Sequence, residues 1–372
     1  MLTSLLSESK GTHLKTFFCQ CGNRLHFDNV KCVNCGLLLG FLPDDGQLSA
    51  FTRNRHGFLQ ASSNGRAYRQ CKNYLDYNVC NWMIPFEDEH ELCASCRLNH
   101  TIPNLSNPDN NVLWFRMEQA KRHLLYTLFK LRLPVLSRRE DLLHGLGFSF
   151  LEDQVEDDFG NELTMKNFVS TGHNAGLITI NLREAEHSSR IEMREKMNER
   201  YRTLVGHFRH ESGHYYWDRL IKDSAYLEEF RQLFGDERMN YPQSMQNYYA
   251  QGPSAEWQKV WISAYASMHP WEDWAETWAH YLHMVDTLET ANDFDFSISG
   301  YQISNPLIDI LSNTADYRVT SFTALFNDWC RLTAALNSLN RSMGLDDAYP
   351  FVISITALNK LRFIHQVVID FN

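Results

Sequence analysis

Residues 206–220 read GHFRHESGHYYWDRL and carry the pattern from which the rest of the chain can be interpreted. His210 and His214 stand four residues apart, and Glu211 directly follows the first of them. On an α-helix, positions i and i+4 lie on one face, one above the other. The spacing therefore predicts a helix whose two imidazoles bind one metal ion, with the carboxylate of Glu211 beside that ion.

A third ligand must come from elsewhere, because a catalytic zinc site has three protein ligands and one open position. Six residues after His214 the chain has leucine, so a third histidine at that spacing is absent. The stretch SMHPWEDWAETWAHYLHM (267–284) predicts a second helix with Pro270 in its first turn. Glu272 and Glu276 lie at i and i+4 on one face of it, and either carboxylate could complete the site.

The composition fits a folded chain with one large core or two domains. Of its 372 residues, 44% are hydrophobic and 13% aromatic, and the formal net charge is −10. This charge argues against a general nucleic-acid surface, although a local basic patch remains compatible with it. The first residues show no signal peptide, and no stretch approaches 18 apolar residues. We therefore expect a cytoplasmic protein without a membrane span.

Eight of the nine cysteines fall within the first hundred residues. The first four form two close pairs ten residues apart, with Gly22 and Gly36 directly after the pairs: Cys19, Cys21, Cys32 and Cys35. Glycine permits the tight turns that bring two thiolates onto one ion. This spacing predicts a zinc ribbon over about residues 17–40, with four cysteines holding one structural zinc ion.

A second and looser set of cysteines lies within about residues 68–100, and its members are Cys71, Cys80, Cys93 and Cys96. The last pair has typical zinc-ligand spacing, whereas the first pair is separated by eight residues. We predict a second four-cysteine zinc site. The alternative is a buried thiol pair with a partial site that uses His90 or His100.

The chain changes character after residues 101–111, which are rich in Pro, Asn and Ser and are typical of a linker. We predict a zinc-ribbon region at 1–104 and a mainly helical α+β domain at 105–372. Strands are expected around residues 177–181 and near 349–357. The first of these strands could bind an extended peptide along its edge, or it could be an ordinary sheet strand.

Two resemblances refine these predictions. The HESGH motif followed at a distance by Glu272 and Glu276 resembles the Glu-zincin clan of metallopeptidases. That resemblance implies that Glu272 is the third zinc ligand and that Glu276 holds a zinc-binding histidine through its other ring nitrogen. Tyr265, seven residues before Glu272, is similar in position to the tyrosine that meets the substrate carbonyl in the anthrax lethal-factor family of this clan.

The chain is also similar, over nearly its full length, to a bacterial family of zinc-binding metallopeptidases with N-terminal zinc-ribbon segments. The shared stretches are CxCG…CxxCG, CNW…LCxSCRLNxTIP, GLITINL, GHFRHESGHYYWDRL and EDWAETWAHYLHM. This resemblance implies a zincin-like metallopeptidase domain preceded by two small four-cysteine zinc ribbons.

These observations together predict a zinc-dependent metallopeptidase that acts on a peptide or protein substrate. His210, His214 and Glu272 would hold one catalytic zinc ion, in addition to two structural zinc ions in the ribbons. Glu211 would be the general base for the attacking water. Tyr265 would help to stabilise the developing oxyanion.

The competing hypothesis is a non-hydrolytic zinc-ribbon protein that binds a protein or nucleic-acid partner. This hypothesis is supported by a modest set of basic residues that lie between the Cys32/Cys35 pair and the Cys93/Cys96 pair: Arg53, Arg55, Arg66, Arg69 and Lys72. Solvated surface charges are the more common role for such residues, and a nucleic-acid partner is therefore not favoured.

Overall fold

The computed structural model describes residues 16–157, 163–187, 189, 203–296, 307 and 317–371. By backbone contacts these residues fall into two compact units, which divide between Phe208 and Arg209. The predicted division at 104/105 rests on composition and stays a prediction. Within the described ranges, no helix combines the length and apolar character needed to cross a membrane.

The first unit begins with a small hairpin and a five-stranded antiparallel sheet. Strands β1 (Phe17–Phe18) and β2 (Arg24–Leu25) pair in the first ribbon. The sheet follows chain order, with β3 (Leu38–Leu42), β4 (Gln47–Arg53), β5 (Leu59–Ala61), β6 (Ala67–Gln70) and β7 (Met83–Pro85). Alternate side chains of these strands point to one face, where Leu42, Phe51, Ala61, Tyr68 and Met83 form a buried cluster.

The rest of this unit combines helices with a four-stranded mixed sheet. Helix α1 (Lys72–Tyr77) precedes the long helix α2 (Asp109–Lys130). The apolar residues of α2 recur at intervals of three and four, so one face is buried: Trp114, Met117, Leu124, Leu125 and Leu128. The sheet contains β8 (Asn99–Thr101), β9 (Gly147–Leu151), β12 (Gly172–Asn174) and β13 (Leu177–Asn181), and β10 (Gln154–Asp157) pairs with β11 (Leu163–Asn167) separately.

The second unit is helical in its described residues. Helix α3 (Leu204–Leu220) enters it at Arg209. Helices α4 (Leu227–Phe234), α5 (Tyr241–Gln251), α6 (Trp257–Val260), α7 (Pro270–Asp293), α8 (Tyr317–Ser342) and α9 (Ile355–Phe371) follow. Helix α7 packs against both α8 and α9. An aromatic core forms where Trp274 of α7 meets Phe234 of α4 and Phe363 of α9, with ring centroids 5.7 and 6.2 Å from that of Trp274.

The strand predicted at 177–181 is confirmed as β13, and of the two roles left open for it the structure supports an ordinary sheet strand over residues 177–179. Those residues pair with β12 on one side and β9 on the other. Both edges are therefore used inside the sheet, as expected of an ordinary sheet strand.

The prediction of a strand near 349–357 is wrong. Residues 350–354 are irregular, and helix α9 begins at Ile355. The hydroxyl of Ser354 accepts a hydrogen bond from the Ala357 backbone, which satisfies a first-turn N–H. The backbone of Tyr349 is bound by the side-chain amide of Asn337 instead of by a neighbouring strand. Local capping therefore outweighs the β-branched composition of this stretch.

Candidate metal centre

Two helices of the second unit carry the predicted site residues. His210, Glu211 and His214 lie on α3, while Glu272 and Glu276 lie on α7. Helix α7 begins as predicted, with a proline at its first position. The residue before it, His269, caps the helix by accepting a hydrogen bond from the backbone N–H of Trp271 at 3.1 Å.

The two helices cross closely at a glycine inside the histidine motif. A Cβ atom added to Gly213 would lie 2.9 Å from the Cα atom of Ala275. The indole of Trp274 donates a hydrogen bond to the carbonyl of Gly213 at 2.8 Å, and that of Trp278 donates to the Ser212 hydroxyl at 3.2 Å. The small residues at this crossing allow the helices to approach until their polar side chains meet.

The side-chain donor atoms of His210, His214 and Glu272 lie within 4.8 Å of one another. Nε2 of His210 is 3.0 Å from Oε2 of Glu272, and Nε2 of His214 is 3.5 Å from Oε1. Ligand atoms about 2.0–2.1 Å from a tetrahedral zinc ion stand about 3.3 Å apart. The three residues are buried, and their spacing fits one such ion.

Glu276 lies on the other side of the His210 ring. Its Oε1 atom is 2.6 Å from Nδ1 of His210, and its Oε2 atom accepts a hydrogen bond from the Ser263 hydroxyl at 2.6 Å. A carboxylate at Nδ1 keeps the proton on that nitrogen and leaves the Nε2 lone pair directed away from it, toward Glu272.

The pKa shifts of His210, Glu272 and Glu276 describe the charge balance of this centre. Burial alone would raise the pKa of Glu272, but His214 and His210 hold it well below its usual value. Burial likewise opposes ionisation of Glu276, yet its contacts with His210, His280 and Ser263 lower the pKa to about 2. For His210, burial would lower the pKa, but the two glutamates raise it well above 6.5. These opposing shifts show that the two carboxylates favour positive charge between them.

Glu211 is buried beside the first histidine. Among the described residues, its Oε2 atom has no hydrogen-bond partner. An isolated buried carboxylate oxygen is costly, so this atom is suited to a partner that is not part of the chain, such as a water molecule bound at the metal.

Two tyrosines approach the same centre, and only one was predicted. The ring of Tyr265 lies 6.0 Å from that of His210. Burial, followed by the charge of Glu272, raises the pKa of Tyr265 far above its usual value, so its hydroxyl remains a donor. Tyr241 was missed, although its hydroxyl donates a hydrogen bond to Oε1 of Glu272 at 2.8 Å. No sequence spacing relates it to Glu272, because it lies on a different helix.

The neighbouring histidines have other contacts. His280 and Tyr349 are joined by a 2.7 Å hydrogen bond between Nδ1 and the hydroxyl, and His283 contacts Arg209. Nε2 of His269 donates to the Met239 carbonyl at 3.1 Å. In the first unit, His207 is paired with Glu184.

The four cysteines of the first ribbon also converge, with all sulfur atoms within 4.8 Å of one another. The Cys19 and Cys35 sulfurs are 3.5 Å apart, and those of Cys21 and Cys32 are 3.7 Å apart. These distances are far longer than a disulfide bond and close to the roughly 3.8 Å expected for thiolates around tetrahedral zinc. The glycines after each pair have φ of +81° and +73°, which permits the predicted tight turns.

The four cysteines of the second set form a fully buried cluster of the same kind: Cys71, Cys80, Cys93 and Cys96. The Cys80 and Cys93 sulfurs lie 3.6 Å apart, and the Cys93 backbone N–H donates to the Cys71 sulfur at 3.4 Å. His90 and His100 are exposed, and His90 is bound to Asp88. The geometry thus favours four sulfur ligands over a partial histidine site.

Helix α2 places a buried cation near this second cluster. Arg122 is 1% exposed, whereas the equally buried Lys121 is paired with Glu118 at 2.9 Å. Burial opposes the charge on Arg122, but the negative charges of Cys80, Asp28 and other neighbours raise its pKa. Four thiolates and one zinc ion would carry a net charge of −2, which a buried cation such as Arg122 would help to stabilise.

Comparison with known proteins agrees with a zinc-ribbon region that precedes a metallopeptidase-like domain. Residues 110–367 match a family described as "Putative zinc-binding metallo-peptidase", and residues 16–107 match a zinc-ribbon domain. A protein from Mycobacterium bovis is 39% identical over 357 residues, covering 95% of each chain. Proteins from two strains of Mycobacterium tuberculosis show the same identity and coverage. All three relatives are named only as uncharacterized proteins. No solved structure matches this chain.

The family match spans more than half of the chain and includes both helices of the candidate centre. The α+β fold, with a zinc-ribbon region before a metallopeptidase-like domain, is as predicted from the sequence. The chain belongs to this family of zinc-binding metallopeptidases with an N-terminal zinc-ribbon domain.

Proposed function

We propose that this protein is a zinc-dependent peptidase whose catalytic ion is held by His210, His214 and Glu272. The observation that carries the proposal is the convergence of these three buried donor atoms, with the equally buried Glu211 directly following His210 on the same helix. Two imidazoles and one carboxylate are a typical ligand set for a catalytic zinc ion, with a fourth position left for water.

The contacts around the site support Glu272 rather than Glu276 as the third ligand. Glu272 is 3.0 and 3.5 Å from the Nε2 atoms of the two histidines. Glu276 instead contacts Nδ1 of His210, where it orients the ring and increases the basicity of Nε2.

A bound zinc ion would lower the pKa of a coordinated water and polarise the carbonyl of a peptide bond. Glu211 then acts as the general base, because its buried Oε2 atom has no hydrogen-bond partner in the described part of the chain. It accepts a proton from the attacking water and passes that proton to the amine that leaves. The same group therefore serves as base and then as acid.

The hydroxyl of Tyr265 is the proposed donor to the oxygen on which negative charge develops. Its raised pKa keeps it protonated at neutral pH. A fixed donor in a buried site stabilises developing charge without the reorganisation that water requires.

The two cysteine clusters are proposed to hold one structural zinc ion each, giving three ions per chain. Thiolate clusters of this kind stabilise segments that are too small to form a sufficient core. They also favour a reducing compartment such as the cytoplasm over an oxidising one. The substrate class is a peptide or protein.

The decisive experiment replaces Glu211 with glutamine. The variant should keep the zinc content of the wild type, because Glu211 is not a ligand, and should lose hydrolysis of a broad peptide mixture by roughly 100-fold or more. Zinc is measured by elemental analysis, and cleavage is measured by mass spectrometry of the products. Glu229→Gln, at an exposed position on α4, is the matched control and should be fully active.

Undiminished turnover by Glu211→Gln would refute the assigned base. A wild-type protein that contains the third zinc ion but cleaves none of the peptides would refute peptidase activity itself. That second result would favour the non-hydrolytic binding protein.

A further inference from the structure

Helix α5 differs in character from the other helices around the candidate centre. Residues 239–255 contain no charged side chain, although charged residues make up 22% of the whole chain. None of the residues of α5 is fully buried. A helix of 11 residues has little stability of its own in water, so its position must depend on a few tertiary contacts.

Its first residue, Tyr241, makes such contacts with the centre. The hydroxyl donates to Oε1 of Glu272 at 2.8 Å. The ring lies 5.2 Å from that of His269 and 6.0 Å from that of Trp271, measured between centroids. Trp271 in turn packs on the proposed ligand His214, with ring centroids 3.9 Å apart.

The hydrogen bond from Tyr241 restricts how the carboxylate of Glu272 can rotate. With Oε1 held by the phenol, Oε2 is placed 3.0 Å from Nε2 of His210. A ligand held in its binding geometry before the metal arrives loses less conformational freedom on binding. Removing the phenol oxygen should therefore weaken metal binding without removing a ligand.

We infer that Tyr241 is a positioning residue for the metal ligand Glu272, and that through it the order of helix α5 is coupled to metal occupancy. Coupling between two binding or ordering events is reciprocal. If α5 helps to fix the ligand, then metal at the centre must also help to hold α5 in place. This inference rests on the metal site of the proposed function and does not require hydrolysis.

The test uses the full chain with zinc in both cysteine clusters. The ion at the His210 centre is removed with a mild chelator and replaced by Co²⁺, whose visible absorption reports the ligand geometry. Tyr241→Phe is compared with Tyr249→Phe, a control on the same helix whose side chain is 62% exposed. Affinity for Zn²⁺ is measured by chelator competition, and hydrogen exchange of residues 241–251 is followed with and without metal in the wild type.

We expect Tyr241→Phe to weaken Zn²⁺ binding by roughly 10- to 100-fold and to change the Co²⁺ spectrum, while Tyr249→Phe changes neither. In the wild type, metal should slow exchange in α5 more than in α4. The exchange experiment needs no substitution, so it remains informative if a variant folds poorly.

Equal Zn²⁺ affinity and spectra for the wild type and Tyr241→Phe would overturn the positioning role, and metal-independent exchange in α5 would overturn the coupling. Failure of the wild type to bind Co²⁺ at this centre would overturn the inference together with the proposed metal site. Normal effects on metal binding in a protein that cleaves no peptide would uphold the inference and refute only the peptidase proposal.

Discussion

Nδ1 of His210 lies 2.6 Å from Oε1 of Glu276, on the side of the ring opposite to the nitrogen that faces Glu272. One imidazole thus separates two glutamates that are four residues apart on the same helix. Their roles can be distinguished by experiment, because one lies beside both proposed histidine ligands and the other supports one of them from behind.

Glu276→Gln should retain the site but weaken its affinity for zinc by roughly 10- to 100-fold, because His210 loses a charged partner. Glu272→Ala should lose the ion under the same conditions, since it removes a ligand. Zinc content after dialysis against a graded series of chelator concentrations measures both effects. The opposite ranking of the two variants would identify Glu276 as the third ligand.

Gly213→Ala should destabilise the protein by about 1–3 kcal/mol, because the added methyl group would lie 2.9 Å from Cα of Ala275. This loss exceeds the gain of about 1 kcal/mol that alanine brings to a helix. Urea unfolding measures the change. Gly172→Ala, at a position with open space around the added Cβ atom, is the control and should cause no comparable packing loss. Unchanged unfolding of Gly213→Ala would show that the helix crossing can relax.

Zinc stoichiometry tests the three centres independently. The purified chain should contain about three zinc ions, since three groups of ligands converge. His210→Ala, Cys19→Ser and Cys93→Ser should each lose one ion. Elemental analysis of the variants gives the count. A Cys93→Ser protein with undiminished zinc would leave the second cysteine set as a cluster of thiols without metal.

Acid should destabilise the second unit through His365. Burial lowers its pKa from 6.5 to about 4, while Nδ1 contacts the Tyr281 hydroxyl at 3.0 Å and Nε2 contacts that of Ser321 at 2.8 Å. The unfolded chain therefore binds more protons between these values, and stability falls as the pH drops from about 6.5 towards 4. By pH 5 the loss from this group is about 2 kcal/mol.

The measurement for His365 is the free energy of unfolding in urea at pH 7.5 and pH 5. His365→Gln cannot take up the proton, so its stability should fall less over this interval than that of the wild type. Equal losses in the two proteins would show that the acid sensitivity arises from other groups, such as the metal ligands.

Local spacing was sufficient to predict much of the candidate site. The interval between His210 and His214 predicted their shared helix face, and Pro270 predicted where the second helix begins. The cysteine spacings predicted two groups whose sulfur atoms do converge. These predictions succeeded because a helix or a tight turn places residues only a few positions apart in a known relation.

Contacts between residues far apart in the chain were harder to predict from the sequence. The strand predicted near 349–357 failed because capping by Ser354 and the contacts of Asn337 favour irregular chain and a helix there. The sequence left two roles open for β13, and only the pairing of the whole sheet decided in favour of an ordinary sheet strand. The hydrogen bond from Tyr241 to Glu272 was not predicted, because the two residues lie on separate helices.

The sequence by itself determined the types of ligand and the class of metal that such ligands bind. It also determined that the histidines and glutamates lie on helices and that the cysteines form two groups of four. Only the tertiary structure decided which carboxylate faces both histidines and which one lies behind the ring. The physical reason is the crossing at Gly213 and Ala275, since residues more than sixty positions apart must pack before the side chains acquire a common geometry. Periodicity fixes the face of each helix, but only packing fixes the angle and depth at which two faces meet.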